Sequence, residues 1–407
     1  MNAVALAWRN LLRQRRRTAL MGAVVAFGFA AFALAGGFMA QSFDGLKEGT
    51  IRSVGQLQVV DRRAVTGAEE RTLEFGLHAA GRARAIASAD PAVSAVLPRI
   101  DFVGLASSGS KSVPYLGVGV DPEPEASATY AAELVTAGGY LSGDGGDGVV
   151  LGTGLASALG VKTGGAITLM ATTPEGTLNA VDAVVVGLVD VRIKELNDRY
   201  LAAGVGLVGR LLQSPETVSK LVVFLTPDAD EDSAAQRLSR ALNAAGYPIA
   251  IRHWKELAVF YEQVRLLYIG IFGFVGAVLV VIVILSAAIV MTMAVTERTR
   301  EIGTLRAIGT RPSGILRMFL AEGVAIAIAG CVAGALFALL VRAALNASGI
   351  ILPPPPGATH GMPIQVRFYP LAYAAGLAAM IGTMGIASYF PARRASRISI
   401  VEALAHV

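Results

Sequence analysis

The sequence predicts an α-helical membrane protein with four transmembrane helices and an α/β extracytoplasmic domain inserted between helices 1 and 2. Three observations predict it. Of 407 residues, 54% are hydrophobic and 16% charged, too apolar a balance for a soluble chain of this length. Four runs free of charge, 18–43, 266–296, 323–341 and 368–392, each approach or exceed the ~18 residues that cross hydrocarbon. Charge is also segregated: residues 41–263 hold 19 Lys+Arg against 26 Asp+Glu, a net −7, whereas the remainder holds 16 against 4, a net +12.

Taken in order, residues 1–17 set Val4, Ala7 and Leu11 at helical spacing with Trp8 beside them. Arginines 9, 13, 15, 16 and 17 follow, which predicts an amphipathic helix lying in the cytoplasmic interface. The uncharged run after it is longer than the apolar core of a signal peptide, so 18–43 reads as transmembrane helix 1. Arg298, Arg300, Arg306 and Arg311 lie between the second and third runs, and Arg393, Arg394 and Arg397 follow the fourth. Basic flanks mark the cytoplasmic side. Both termini and 297–313 therefore fall in the cytosol, and the acidic insertion lies outside it. A basic cluster abutting a span is a topology signal, so no nucleic-acid partner is expected.

The insertion, 44–262, alternates short β-rich runs with helical ones, enough for one or two α/β lobes. Candidate strands are 55–60, 113–120, 166–171, 183–189 and 221–225, and candidate helices are 81–89 and 233–245. Strand 221–225, helix 233–245 and 248–252 make a β-α-β unit. Residues 263–296 form a stalk and transmembrane helix 2. Its uncharged part would be ~46 Å long at 1.5 Å per residue, against a hydrocarbon core of ~30 Å. The preceding KELAVFYEQVRLLYIG is helix-favouring too, which predicts one continuous helix entering the membrane from the domain. Transmembrane helix 3 covers 314–341, an external Pro-rich loop covers 342–367, transmembrane helix 4 covers 368–391, and 392–407 is a cytoplasmic tail. Pro353 to Pro356 stiffen the loop into polyproline geometry, a rigid cap or a partner contact. Gly330 and Gly334 make a small-xxx-small pair, and Gly270, Gly273 and Gly276 recur every third residue, so both helices allow close approach to this chain or to a second copy.

Sites for chemistry are missing. In GTGLASALGVKTGG, Val161 separates glycine from Lys162-Thr163, which breaks a phosphate loop. Asp228, Asp230 and Asp232 open like a calcium loop, but Ser233 and Ser239 stand where glycine and glutamate are needed. Acids at a helix start account for them. The four histidines, 78, 253, 360 and 406, show no metal-ligand spacing, and the single cysteine, Cys331, lies within a span. Catalytic residues, metal sites and cofactors are all read as none. Glu322, at the edge of helix 3, reads as an interfacial or hydrogen-bonded acid.

The segment ERTREIGTLRAIGTRPSGILRMF, 297–319, is different. Glu297 with Arg300 and Arg298 with Glu301 are i, i+3 pairs, while Ile302, Leu305 and Ile308 repeat every three residues on another side. Gly309 is placed as a C-cap and Pro312 as a helix restart.

ERTREIGTLRAIGTRPSGILRMFLAEG, with the four-span layout, resembles the signature of FtsX/MacB/LolC-LolE-type permeases of ABC transporters, the mechanotransmission or type VII group. WRNLLRQRRRTAL resembles that family's opening interfacial helix, GGYLSGDGGDGVVLGTGLASALGVKTGGAITL its periplasmic-domain motif, and PARRASRISIVEAL its C-terminal cytoplasmic signature. The resemblance implies a coupling helix that docks on a separate cytoplasmic ABC ATPase subunit, carried by Glu297, Arg298, Glu301, Ile302, Gly303, Leu305, Arg306 and Gly309. It also implies ATP and Mg on that ATPase, a second permease copy or paralogue completing a dimer, and residence in the bacterial inner membrane. The implied work is extraction or export of lipoprotein, lipid-like or hydrophobic substrates, with room for a periplasmic adaptor or a lipoprotein carrier. The unfused layout is closest to the lipoprotein-releasing LolC/LolE branch. An FtsX-like control of a cell-wall hydrolase and a MacB-like drug or peptide efflux permease are the alternatives.

Overall fold

A computed structural model describes residues 15–66, 73–143, 146–354 and 359–398. The interfacial helix expected before residue 15, the tail beyond 398, and Pro355 and Pro356 of the tetraproline lie outside the described residues. In chain order the principal elements begin with α1 (Arg15–Val54), β1 (Leu57–Asp61), α2 (Ala80–Ser88), β2 (Val93–Ser107), β3 (Ser112–Val120) and α3 (Pro122–Thr129). Next come β4 (Val135–Gly138), β5 (Gly148–Gly152), α4 (Thr153–Leu159), β6 (Ala166–Thr172), β7 (Leu178–Val189), β8 (Tyr200–Gly204) and α5 (Val205–Leu212). The chain continues through β9 (Lys220–Leu225), α6 (Glu231–Ala244), β10 (Ile249–His253) and α7 (Trp254–Leu257). It ends with α8 (Val259–Glu297), α9 (Thr299–Ala307), α10 (Pro312–Ser348) and α11 (Pro370–Arg397). Among the described residues, four helices, Thr18–Val54, Tyr261–Glu297, Pro312–Ser348 and Pro370–Arg397, are long and apolar enough to cross a membrane.

Two compact units result, one of them Leu46–Glu262 with Leu352–Met362 and the other the helices around it in sequence. In the inserted domain the long strand β2 belongs to two lobes. Its first half pairs β9, and the order β10-β1-β9-β2 makes a sheet in which β1 is antiparallel to both β9 and β10. The predicted β-α-β unit is therefore real but split, with β1 inserted between its strands. Its second half pairs both β3 and β6, and the ring β2-β3-β8-β5-β7-β6 closes on itself. Helix α5 lies against five strands of that ring, β2, β3, β6, β7 and β8, and buries Leu207, Val208, Leu211 and Leu212. Its approach is close enough that a Cβ on Gly119 of β3 would meet Val208 at 3.1 Å.

The two near-miss motifs resolve as ordinary structure. Residues 153–159 are the short helix α4, with Leu155 and Leu159 buried, and it stops at Gly160 with φ +73°, a conformation glycine adopts without penalty. Asp230 is the N-cap of α6 and accepts a hydrogen bond from the Ser233 N–H at 2.9 Å. Hydrogen bonding to Ser233, through its side chain first and then this N–H, holds the Asp230 carboxyl below the ordinary carboxylate value.

Helix α2 is tied to α6 through Asp90, whose carboxylate accepts from Arg237 Nε and Nη2 at 2.7 and 3.0 Å. Those bonds hold the Asp90 carboxyl below its ordinary value. A carboxyl lowered in the folded state contributes stability that is complete above its unfolded value, about pH 4, and lost as pH falls through the lower folded value. Thermal melts of the full-length chain from about pH 7 to about pH 3 are expected to show this loss at the acid end, and Asp90→Asn to make the fall shallower. An unchanged slope in the variant would count against the pair.

The continuous helix expected from residue 255 is interrupted. Ala258, at φ −90° and ψ 50°, parts α7 from α8. Trp254 is buried, and its indole N–H donates to Glu231 at 3.3 Å, which keeps α7 with the domain. Residues 352–362 also belong to this unit. The Thr359 hydroxyl donates to Asp190 at 2.6 Å, its N–H donates to the Arg192 carbonyl at 2.9 Å, and His360 Nδ1 stands 3.4 Å from Asp190.

In the helical unit the core is built from Val25, Phe29 and Ala33 of α1, Val283 and Ala287 of α8, Phe319, Ile326 and Cys331 of α10, and Met380 and Met384 of α11. Large apolar side chains such as Phe274, Ile289, Leu340 and Phe390 point outward, as a lipid-facing surface requires. A Cβ on Gly330 would meet Val25 at 2.8 Å, and one on Gly334 would run into the main chain of Ala26. Helices α1 and α10 therefore meet through these two glycines.

Candidate functional site

The segment 297–312 builds an elbow between two long helices. α8 runs to Glu297, and Arg298, at φ −111° and ψ 14°, leaves helical geometry before α9 begins. The Thr299 hydroxyl lies 3.0 Å from the Val295 and Thr296 carbonyls at the α8 end. After α9, Gly309 takes φ +98°, its N–H reaches the Arg306 carbonyl at 3.0 Å, and the Thr310 N–H reaches Leu305 at 3.0 Å. That is a glycine-dependent helix stop. Pro312 then opens α10, where its missing N–H does no harm.

The two sides of α9 have different neighbours. Ile302, 1% exposed, sits in the core with Met291, Ile315 and Phe319, and Leu305 is packed half-buried against the same cluster. Gly303 is buried, and the Arg306 guanidinium donates to the Ile398 carbonyl. On the other side Arg300, Glu301, Thr304, Ala307 and Ile308 are exposed, Ile308 at 79%. The every-third-residue repeat puts Ile302 and Ile308 on one apolar side, but the structure turns them apart. Each step of three falls about 60° short of a full turn on a 3.6-residue helix, so two steps separate them by about 120°.

Arg298 is turned inward. Its Nε donates to Glu301 at 3.1 Å and its Nη1 to Glu322 of α10 at 3.2 Å, with the Arg298 and Glu322 side chains only 11% and 8% exposed. The guanidinium also lies 5.6 Å from the ring of Phe319. The bond to Glu301 follows from the i, i+3 spacing, whereas Glu322, 24 residues away, gives no such signal. Glu297 ends α8 on the exposed side. Among the described residues, Gly270, Gly273 and Gly276 have no neighbour within reach of a Cβ. Among the described residues, no group of three or more His, Cys, Asp or Glu is arranged to hold a metal.

Residues 273–400, which take in the elbow, match the family model described as FtsX-like permease C-terminal. The ABC transporter permease YtrF of Bacillus subtilis is 40% identical over 137 residues, 32% of this chain and 31% of that one. The lipoprotein-releasing system transmembrane protein LolC of Xylella fastidiosa is 24% identical over 346 residues, 81% of each chain. The pyoverdine export ATP-binding/permease protein PvdT of Pseudomonas savastanoi pv. phaseolicola is 39% identical over 115 residues, 28% of this chain and 15% of that one. The chain thus spans about a third of YtrF and far less of PvdT.

Proposed function

We propose that the chain is an ABC transporter permease of the FtsX/LolC/MacB type and that α9 docks on a cytoplasmic ATPase subunit through its outward side. Ile308 is the apolar group that enters the ATPase surface, ringed by Arg300, Glu301 and Thr304. The observation that carries this is an isoleucine 79% exposed at the end of a helix fixed by a glycine stop. ATP and Mg belong to the ATPase subunit, and this chain is a transport subunit, not an enzyme. A name such as that of PvdT, which joins ATP-binding and permease on one protein, supports the pairing.

On this reading the chain crosses the bacterial inner membrane four times, with α9 and both termini cytoplasmic and the inserted domain outside. The charge split of −7 against +12 supports that orientation. Two permeases, copies or paralogues, work with two ATPase subunits, and closing of the ATPases moves α8 and α1 and so the domain. The substrate is a lipoprotein or another lipid-like molecule, a reading supported by the LolC alignment running through 81% of both chains.

The test is binding. With the full-length chain in lipid nanodiscs and an ABC ATPase subunit of the same organism, Ile308→Asp is expected to weaken association at least tenfold, about 1.4 kcal/mol. Glu301→Lys is expected to weaken it less, since Glu301 lies at the rim. Binding of Ile308→Asp at native affinity would sink the docking surface.

A further inference from the structure

We propose that Arg298 is a positioning residue, a pin that holds α8, α9 and α10 as one rigid elbow, so that a push on α9 moves the long helices instead of bending the joint. The proposal rests on the reading of α9 as the surface that meets the ATPase. It assigns Arg298 an internal role where the family resemblance implies a contact with the partner.

The backbone at the joint is weak. Arg298 leaves helical geometry, and its N–H makes only the tight-turn bond to Val295, at 3.2 Å. A force along α9 would flex a chain held by that alone. Side chains supply the missing stiffness. One guanidinium holds Glu301 on α9 and Glu322 on α10 at the same time, at 3.1 and 3.2 Å. Arginine alone can do so, because its planar fork points donors in fixed, divergent directions, whereas a lysine ammonium is a point charge on a flexible stem. The site is also nearly dry. Glu322 is buried beside Gly323, whose Cα faces Ser388 of α11 so closely that a Cβ there would overlap the serine hydroxyl. A carboxylate in such a place strongly favours a cation it can bond directly, and Arg298, resting on Phe319, is fixed to provide it.

The test measures the joint directly. In the full-length chain with Cys331→Ser, spin labels at Ala307→Cys on α9 and Val332→Cys on α10 report the distance distribution in nanodiscs without any ATPase. The native residue pair is expected to give one narrow peak. Arg298→Lys keeps the charge and the fold but is expected at least to double the peak width, and Glu322→Gln to do the same. When that ATPase subunit is added, Arg298→Lys is expected to keep its affinity while stimulation of ATP hydrolysis falls at least tenfold. A width unchanged in both Arg298→Lys and Glu322→Gln would overturn the pin. A broadened peak with no ATPase binding even by the native chain would leave the pin standing and overturn the docking reading instead.

Discussion

Arg99→Ala is expected to destabilise the inserted domain by about 3–5 kcal/mol, the usual result of leaving one half of a buried ion pair alone. Arg99 lies in the half of β2 where five successive residues, 96–100, are all buried. Its Nη2 and Nε donate to Glu125 of α3 at 2.6 and 3.3 Å, and the side chains are 10% and 6% exposed. Nη1 donates to the carbonyl of Ser53 in the last turn of α1, where the helix dipole favours a cation. Burial pushes the phenols of Tyr140 and Tyr200 up, and both feel the charges of this pair. Truncation strands the Glu125 carboxylate in that environment and takes the guanidinium from the Ser53 carbonyl. Replacing both partners, Arg99→Met with Glu125→Leu, is expected to recover most of the loss, because two apolar groups leave no buried charge. Denaturant unfolding followed by the fluorescence of Trp254, in a Trp8→Phe background, separates the two. Equal losses in the single and double variants would show that packing, not charge, holds this site.

Neither residue of that pair was legible in the sequence, and the reason is physical. A strand shows itself by alternation, but β2 is covered on both faces where it carries Arg99, and Pro98 interrupts its β-favouring residues. Leu97 faces a cluster with Val222 and Phe224, while Val96 and Ile100 face the main core. Of the strands the sequence predicts, those for β3, β6 and β7, open on one face, lie within the observed spans, and so does that for β9, which is buried on both faces but is an unbroken apolar run with no proline to interrupt it. Hydropathy located four helices because lipid imposes a length on apolar runs. It could not say that α1 continues to Val54, since that stretch carries Asp44, Lys47, Glu48 and Arg52. In the elbow, local terms were readable: the Arg298–Glu301 spacing, the Gly309 stop and the Pro312 restart. What depends on tertiary neighbours, the Glu322 pairing and the parting of Ile302 from Ile308, was not.

The glycines make the same distinction testable. By spacing, Gly270, Gly273 and Gly276 look as ready for close approach as Gly330 and Gly334, yet among the described residues only the second pair has a neighbour within reach of a Cβ. Gly334→Leu is expected to destabilise the helical unit by more than about 3 kcal/mol, above the usual ~1–3 for overpacking. The obstruction is main chain: a Cβ at 334 would lie 3.0 Å from the Ala26 Cα, and α1 cannot rotate a backbone out of the way. Helix association in lipid depends on such contact, because hydrocarbon already solvates leucine as well as a protein core does. The helices must separate along their length, and the contacts of Val25 with Gly330 go with them. Gly273→Leu, on an open face, is expected to stay within about 0.5 kcal/mol. Melting of the two full-length variants side by side, in a detergent that keeps the chain monomeric, decides it. Equal melting temperatures would mean that α1 and α10 do not meet through Gly334.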